Sequence, residues 1–580
     1  MAKLEPSKAY FKLEPQDPKE IHSFYENQGI DFLDRSRGKA APERVSTSTG
    51  LSPYQGEWGK AQVLHLLKRV LFGVKPSDLE RFSQMSLSQC LDQLIKLDLD
   101  PPEPINNYTE DPEFDEDVAL GESWVRAPKR VNEVESARVI SLMSWLVRNV
   151  ANQPSTIHEK LFVFWHNLLP TDLWGVFDAR ASYQYFKLLR KNSLGNYKEL
   201  IKQLTKEPAM LMYLNGTRNR VGAPDENYAR ELQELFTVGK GSGSGYTESD
   251  VQEAARLLTG YVVWWNDRLT PGERKSHFHP QFHDAGDKQF SSFYGNRVIK
   301  GRSGEAGEEE LNDLLDMIFE VNEVSKYICR RLYAFFVFSS VDESVEINVI
   351  EPLAQLFRDS NYEIEPVIKA LLGSEHFFDK INKGAMIKSP LDHLLGFWRA
   401  TDTDEVEPEN NFILFWLYRG IHAWYLQPTG MGLGLPPSVA GWPPTYQTPS
   451  LDKIWITTDS ITTRAESIGK MINGNWWVWH DGRYLKTDLV KFAESLPEPS
   501  DPNKLIKDTW DLLMGIDPSD QSLQHLKSVL LSDQSEDYYW TSAWNQYQSN
   551  KSSTTFRQTV ETRLQAMIYS LSQLGEFQLM

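Results

Sequence analysis

Two cysteines in 580 residues, Cys90 and Cys329, exclude a disulfide framework and a thiolate zinc site; one disulfide is the most they allow. Long apolar runs are also missing. The longest, residues 332–341, is about half of the roughly 20 residues a membrane-spanning helix needs, so no membrane span is expected. The first fifteen residues carry charge and proline where a secretory signal would have an apolar segment, so no signal peptide is visible. Cationic excess is absent. Sixty-one Lys and Arg against 80 Asp and Glu give a formal net charge of −19, which argues against nucleic acid or an anionic membrane as the main partner. A nucleotide loop is missing too: the glycine-rich link 239–245 precedes a helix, but Lys240 comes too early in it. Gly241-Ser242-Gly243-Ser244-Gly245 has the letters of a nucleophile elbow, yet it follows a helix where the elbow follows a strand.

What is present reads as an ordinary globular chain, 40% hydrophobic and 24% charged. Its length exceeds what one core usually serves. An extended or partly disordered N-terminal extension is expected for residues 1–50, an N-terminal helical lobe for 51–300 and a C-terminal helical lobe for 301–580. Helical periods recur throughout. Residues 60–72 form one helix, closed by Gly73, and Ser77 opens another that runs to about Leu97. Residues 131–150 carry an apolar stripe of Val139, Leu142, Met143, Leu146 and Val147. Residues 157–169 are apolar nearly all round, so that helix belongs at the centre. Extended segments are expected at 261–265, 277–284 and 290–299, with Gly295-Asn296 as a turn. Residues 476–485 suit a hairpin turning at Asp481-Gly482, with alternation that leaves one tryptophan ring outside. The fold class is mainly α, an irregular multi-helix assembly with small β elements near 261–300 and 476–485.

Residues 224–260 hold the densest pattern. At 100° per residue, Tyr228, Ala229, Leu232, Leu235 and Phe236 share one arc, and Glu226, Asn227, Arg230, Glu231 and Glu234 the opposite one. Glu226, Arg230 and Glu234 follow at i, i+4 and i+8, which sets the arginine between two carboxylates. Gly239 ends this helix. Thr247 with Asp250 matches a capping box for a second helix that stops at Gly260. The plain reading of the charged arc is a solvated face; the sharper one is a semi-buried ion-pair network joining two helices.

Several segments together resemble a bacterial family known as domain of unknown function 1800. They are His65-Leu66-Leu67-Lys68-Arg69 with Phe72-Gly73; Phe164-Trp165-His166-Asn167; Pro208 to Leu214; Glu226-Asn227-Tyr228-Ala229-Arg230-Glu231-Leu232 with Glu234-Leu235-Phe236; Ala254-Ala255-Arg256 with Leu258-Thr259-Gly260; His283-Asp284 with Gly286 and Lys288; Pro437-Ser438-Val439-Ala440-Gly441-Trp442-Pro443; and Glu576-Phe577-Gln578-Leu579. They span roughly residues 54–580 in order. The resemblance implies a helical, uncharacterised protein. Its members commonly carry export signals and are often encoded beside a second family that resembles sulfatases and alkaline phosphatases. An exported or periplasmic location and such a protein partner are what it implies here. The family typically reads His-Asn-His-Phe where this chain has His166-Asn167-Leu168-Leu169, and Asn-Glu-Asn where it has Asp225-Glu226-Asn227, so any family role for the second histidine is lost.

Two functions fit these residues. The first is a scaffold that binds another protein. The second is a metal-assisted hydrolase in which Glu226, Arg230, Glu231 and His166 converge as catalytic groups, with Glu234, Arg256, His65, Arg69, Asp284 and Lys288 as binding groups. For the metal, His277 and His279 lie two apart on a strand and point the same way, and His283 closes the set; imidazoles with Asp284 would suit zinc or another divalent transition metal. The plainer reading of that string is a surface-loop histidine cluster. His166 in its apolar helix is read first as a core histidine, and Asp284 with Lys288 as a local ion pair.

Overall fold

Helices dominate because apolar residues recur three and four apart along most of the chain. The computed structural model describes residues 49–580, apart from 97–99, 130–131, 242, 265, 449–450 and 479–481. The extension expected over residues 1–50 therefore lies, up to residue 48, outside the described residues. α1 (Lys60–Val70) buries Val63, Leu64, Leu66, Leu67 and Val70. Gly73 follows it at φ +93°, and a Cβ there would stand 2.4 Å from the Gly396 carbonyl oxygen. The single helix expected from Ser77 to about Leu97 is in fact two, Pro76–Phe82 and Leu87–Leu94. Ser86 and Gln89 form a reciprocal capping box, which starts a new helix and so breaks the old one.

α2 (Asn132–Ala151), α3 (His158–Leu168) and α4 (Ala179–Lys191) come next. Every residue of α3 from Glu159 to Leu168 is buried, so it is central as its sequence implies. α5 (Asn227–Glu231) runs into a π-helical turn, Leu232–Thr237. α6 (Glu248–Leu257) opens on the Thr247–Asp250 capping box. α7 (Glu310–Phe319), α8 (Pro390–Ala400) and α9 (Asn411–Ile421) follow. α2 packs against α4, α8 and α9, α3 packs on α4, and α6 packs on both α5 and α7. Helices at Thr458–Asn473 and Tyr538–Ser549 were not expected. The first is rich in Thr and Ser and offers the core little beyond Ile468, Met471 and Ile472, so its period is faint.

The sheets are minor. β1 (Tyr261–Val262) pairs with β2 (His277–Phe278), β3 (Lys288–Gln289) with β4 (Val298–Ile299), and β5 (Trp476–Val478) with β6 (Arg483–Leu485), all antiparallel. In β5, Trp476 and Val478 are buried and Trp477 faces out; Asp481 of the expected turn lies outside the described residues. One contiguous apolar core runs from Val63 to Phe577, within a compact unit spanning Thr47–Met580. Among the described residues no helix is long and apolar enough to cross a membrane. The architecture is mainly α with minor β.

Candidate functional site

The charged arc of α5 is reshaped by the π turn. Tyr228, Ala229, Leu232 and Phe236 are buried as expected, but Leu235 is only half-buried and Gln233 goes inside in its place. A π turn takes more residues per revolution than an α turn, so a wheel at 100° per residue fails after Leu232. Gln233 then donates to the Ala229 carbonyl at 3.2 Å and accepts from the Tyr294 hydroxyl at 2.8 Å. The same rotation carries Glu234 away from Arg230 to Lys240. Arg230 does lie between two carboxylates, but they are Glu226 at 2.9 Å and Glu248, which accepts from Nη1 at 2.9 Å. The second carboxylate comes from α6, so this arginine ties α5 to α6. Glu231 stands apart, with its Oε2 buried and lacking a hydrogen-bond partner. Burial, helped by neighbouring Glu234, pushes its carboxyl up to about 7.

A second network lies deeper. Arg256 on α6 donates to Asp284 through Nε at 2.9 Å and Nη2 at 3.2 Å, and to Glu253 at 2.6 Å. With that carboxylate taken, Lys288 donates to the Asp284 main-chain carbonyl and pairs instead with Glu310 at 2.6 Å. Glu310 opens α7, is fully buried, and also meets His283 Nε2 at 3.2 Å and the Arg302 N–H at 2.5 Å. The other two histidines go elsewhere. His277 is exposed on β2, and His279 stacks on Phe282 with ring centroids 4.4 Å apart. Among the described residues, no three His, Cys, Asp or Glu side chains stand together as metal ligands.

His166 and Asn167 hold the loop that follows α9. His166 Nε2 accepts the Gly434 N–H at 3.2 Å, so its proton sits on Nδ1, 3.0 Å from the Tyr185 hydroxyl oxygen. The Tyr185 hydroxyl in turn donates to the Leu169 carbonyl at 2.6 Å. Burial brings the imidazole down to about 3. Asn167 Oδ1 accepts the Trp442 N–H at 2.9 Å, and Gly441 passes so close that a Cβ would lie 2.3 Å from the Asn167 main-chain oxygen. A small cavity of about 70 Å³ beside Asn167 and Trp442 has room for a few waters. His65 Nε2 bonds the Phe377 carbonyl at 2.9 Å. Arg69 donates to the carbonyls of Val337, at the end of helix Asn322–Phe336, and of Asn382. These four residues join segments of backbone.

A much larger cavity is a cleft of about 910 Å³ between α2, α9, the start of α3, the end of α4 and the loop at 100–107. α2 contributes Ser141, Ser144, Trp145, Arg148 and Asn149 at helical spacing, and Asn152 follows just past its end. Two arginine–glutamate forks line it. Arg190 binds Glu159 through Nε at 3.1 Å and Nη2 at 2.6 Å, and Arg148 binds Glu405 through the same two nitrogens, each at 3.0 Å. Tyr418 and Asn152 also donate to Glu405, at 2.6 and 2.9 Å. The Arg190 guanidinium is stacked between Phe162 and Trp145, 4.1 and 4.9 Å from the ring centroids. Only 7% of Arg190 is exposed, yet its Nη1 has no hydrogen-bond partner; nor does Asn149 Nδ2 on the same wall.

A family model described as protein of unknown function (DUF1800) matches residues 65–579. The chain belongs to that family. No curated protein and no solved structure matches it. Four of the motifs that carry the resemblance meet in pairs in this DUF1800 protein: Asn167 meets Trp442, and Arg256 meets Asp284. None of those motifs lines the large cleft. Sequence reasoning missed its residues although a signal exists. On α2, Trp145, Arg148, Asn149 and Asn152 occupy the face opposite the apolar stripe, and by pattern alone that is a solvated face. Of the catalytic set expected from sequence, Glu226 and Arg230 hydrogen-bond each other, while His166 bonds Tyr185 and Gly434 and Glu231 Oε2 has no hydrogen-bond partner.

Proposed function

We propose that this DUF1800 protein works by binding, with the cleft between α2 and α9 as its ligand site. One observation carries the reading: a cleft of about 910 Å³, within the size range of small-ligand sites, is walled by Trp145, Phe415, the polar side chains of α2 and two arginine–glutamate forks. What supports binding over the metal-assisted hydrolase is that Glu226 and His166 serve separate structural contacts, with Arg230 and with Tyr185 and Gly434. The test is a thermal-shift screen of a metabolite library on the unaltered protein and on Asn149→Ala. Compounds that stabilise the first and not the second are expected; a screen without any would end this reading.

The protein partner expected from sequence, a sulfatase- or phosphatase-like protein by resemblance, is a second reading. Tyr538 and Tyr539 favour it, lying side by side with 70% and 42% exposure in a residue type enriched at interface hot spots. Alanine at both positions should abolish co-purification of such a partner from the native organism while leaving ligand-induced thermal shifts intact.

A further inference from the structure

The small cavity beside Asn167 and Trp442 has four charged side chains on its wall, Lys160, Arg331, Asp392 and Asp452. Two of them neutralise each other. Lys160 donates to Asp392 Oδ1, and Asp392 Oδ2 accepts from the Ser389 N–H at 3.3 Å and the Ser389 hydroxyl at 2.6 Å. Arg331 and Asp452 pair neither with each other nor with any other charge among the described residues. Met580 also lines the cavity, and its main chain bonds that of Met386 in both directions, at 2.9 and 3.5 Å.

Asp452 sits in the turn Leu451–Trp455 and is only 7% exposed. Its Oδ2 accepts the Ile387 N–H at 3.0 Å, and Ile387 belongs to the same wall. Oδ1 bonds nothing, and it is not among the side-chain atoms sealed from solvent. A carboxylate withdrawn from bulk water with one hydrogen bond and no cation is costly, so the cavity favours a cation beside it. Arg331, on the helix Asn322–Phe336, is half-buried and donates through Nη1 alone, to the Thr445 carbonyl at 3.2 Å. Thr445 lines the cavity as well. The Nε–Nη2 edge of the guanidinium is left over, again not sealed from solvent, and such an edge suits the two parallel bonds of a carboxylate.

A cationic ligand would answer Asp452 and leave Arg331 without an anion; an anionic ligand would do the reverse. One molecule with both charges answers both. The remaining wall is largely apolar, with Phe72, Phe164, Phe335, Met431 and Trp455, so the body that carries the charges is hydrocarbon. Size sets the upper limit. At about 70 Å³, with about 10–15 Å³ for each water-sized atom, the cavity takes roughly five to seven non-hydrogen atoms. Glycine and alanine are of that size.

We propose that this cavity binds a small zwitterion, an amino acid no larger than about alanine, with its carboxylate on Arg331 and its ammonium on Asp452. The site shares no lining residue with the cleft between α2 and α9 and does not rest on it. Isothermal titration calorimetry on the full chain tests it with alanine, with propionate, which lacks the ammonium, and with ethylamine, which lacks the carboxylate. Alanine is expected to bind at least tenfold more tightly than either, since each has lost one charge-assisted contact. Asp452→Asn should remove the advantage of alanine over propionate, and Arg331→Gln its advantage over ethylamine. Should Asp452→Asn fail to fold, the three ligands on the natural protein and on Arg331→Gln still decide. Propionate or ethylamine binding as tightly as alanine to the natural protein would overturn the zwitterion. No binding of alanine, or binding unchanged in the variants, would overturn the site.

Discussion

His166 accepts the main-chain N–H of Gly434 through Nε2, which fixes the ring as neutral with its proton on Nδ1. A neutral ring buried this way cannot take a proton without losing that bond. Burial holds His166 down to about 3, His65 to about 3 and His422 to about 4. Their folded values lie below the ordinary 6.5, so the stability they contribute is present above pH 6.5 and drains away as pH falls towards 4 and 3. Each contributes a slope of up to about 1.4 kcal/mol per pH unit in that window. Urea unfolding from pH 7 to pH 4 should show a steep loss, shallower by one proton's worth in His166→Gln. A flat profile would contradict the buried neutral ring.

Gly441 and Gly430 separate strain from collision. Both have positive φ, +84° and +87°, but a Cβ at Gly441 would lie 2.3 Å from the Asn167 oxygen while Gly430 has nothing within 4 Å. Gly430→Ala should therefore cost only the backbone penalty, about 1–2 kcal/mol. Gly441→Ala adds the displacement of Asn167 from Trp442 and should cost roughly 4 kcal/mol or more. Urea midpoints of the two variants decide it, and equal midpoints would show that the loop shifts freely off α3.

Much of the fold is legible in the chain because its signals are local. The Thr247–Asp250 cap and the alternation of β5 each depend on a few adjacent residues, and each appears where expected. The π turn after Leu232 was not legible, because nothing in the apolar spacing there distinguishes a π from an α turn, and it moved Gln233 inside and Glu234 to Lys240. The cleft was hidden for another reason. Arg148 and Glu405 are 257 residues apart, and the polar face of α2 becomes a wall only when α9 and the loop at 100–107 close over it. Of the candidates chosen from sequence, Arg256 meets Asp284, while Lys288 and His283 meet at Glu310, which sequence reasoning never singled out.

The buried and the surface networks should respond differently to loss of a cation. Lys288 and Glu310 are both fully buried, so Lys288→Met leaves a carboxylate uncompensated in the interior and should cost about 3–5 kcal/mol. Arg230 and Glu248 are one-third and more than half exposed. Water and salt screen that pair, and Arg230→Met should cost about 1 kcal/mol or less, shrinking further at high salt. Chemical denaturation of the two variants at low and high ionic strength measures both. A larger cost at Arg230 would show that α5 and α6 are held by their surface charges and not by the core beneath them.

Glu231 offers the clearest titration. Its folded value of about 7 is above the ordinary 4.5, because burial penalises the charged form and Glu234 repels it. A raised value means that the favourable contribution is present below pH 4.5 and is lost as pH rises through 7. Glu231→Gln keeps the shape and removes the charge, so it should match the natural protein at pH 4 and exceed it at pH 8. The group is partly exposed, and after allowance for solvent screening the gain at pH 8 is on the order of 1 kcal/mol. Paired urea curves at the two pH values test this. Equal stability at both would place the carboxylate in free water, and a loss at pH 8 would mean that the charged form has a partner. The same variant bears on the hydrolase alternative: a carboxyl titrating near neutrality is what a general base requires, so any hydrolytic activity of the protein should fall with Glu231→Gln, whereas ligand-induced thermal shifts from the cleft should not.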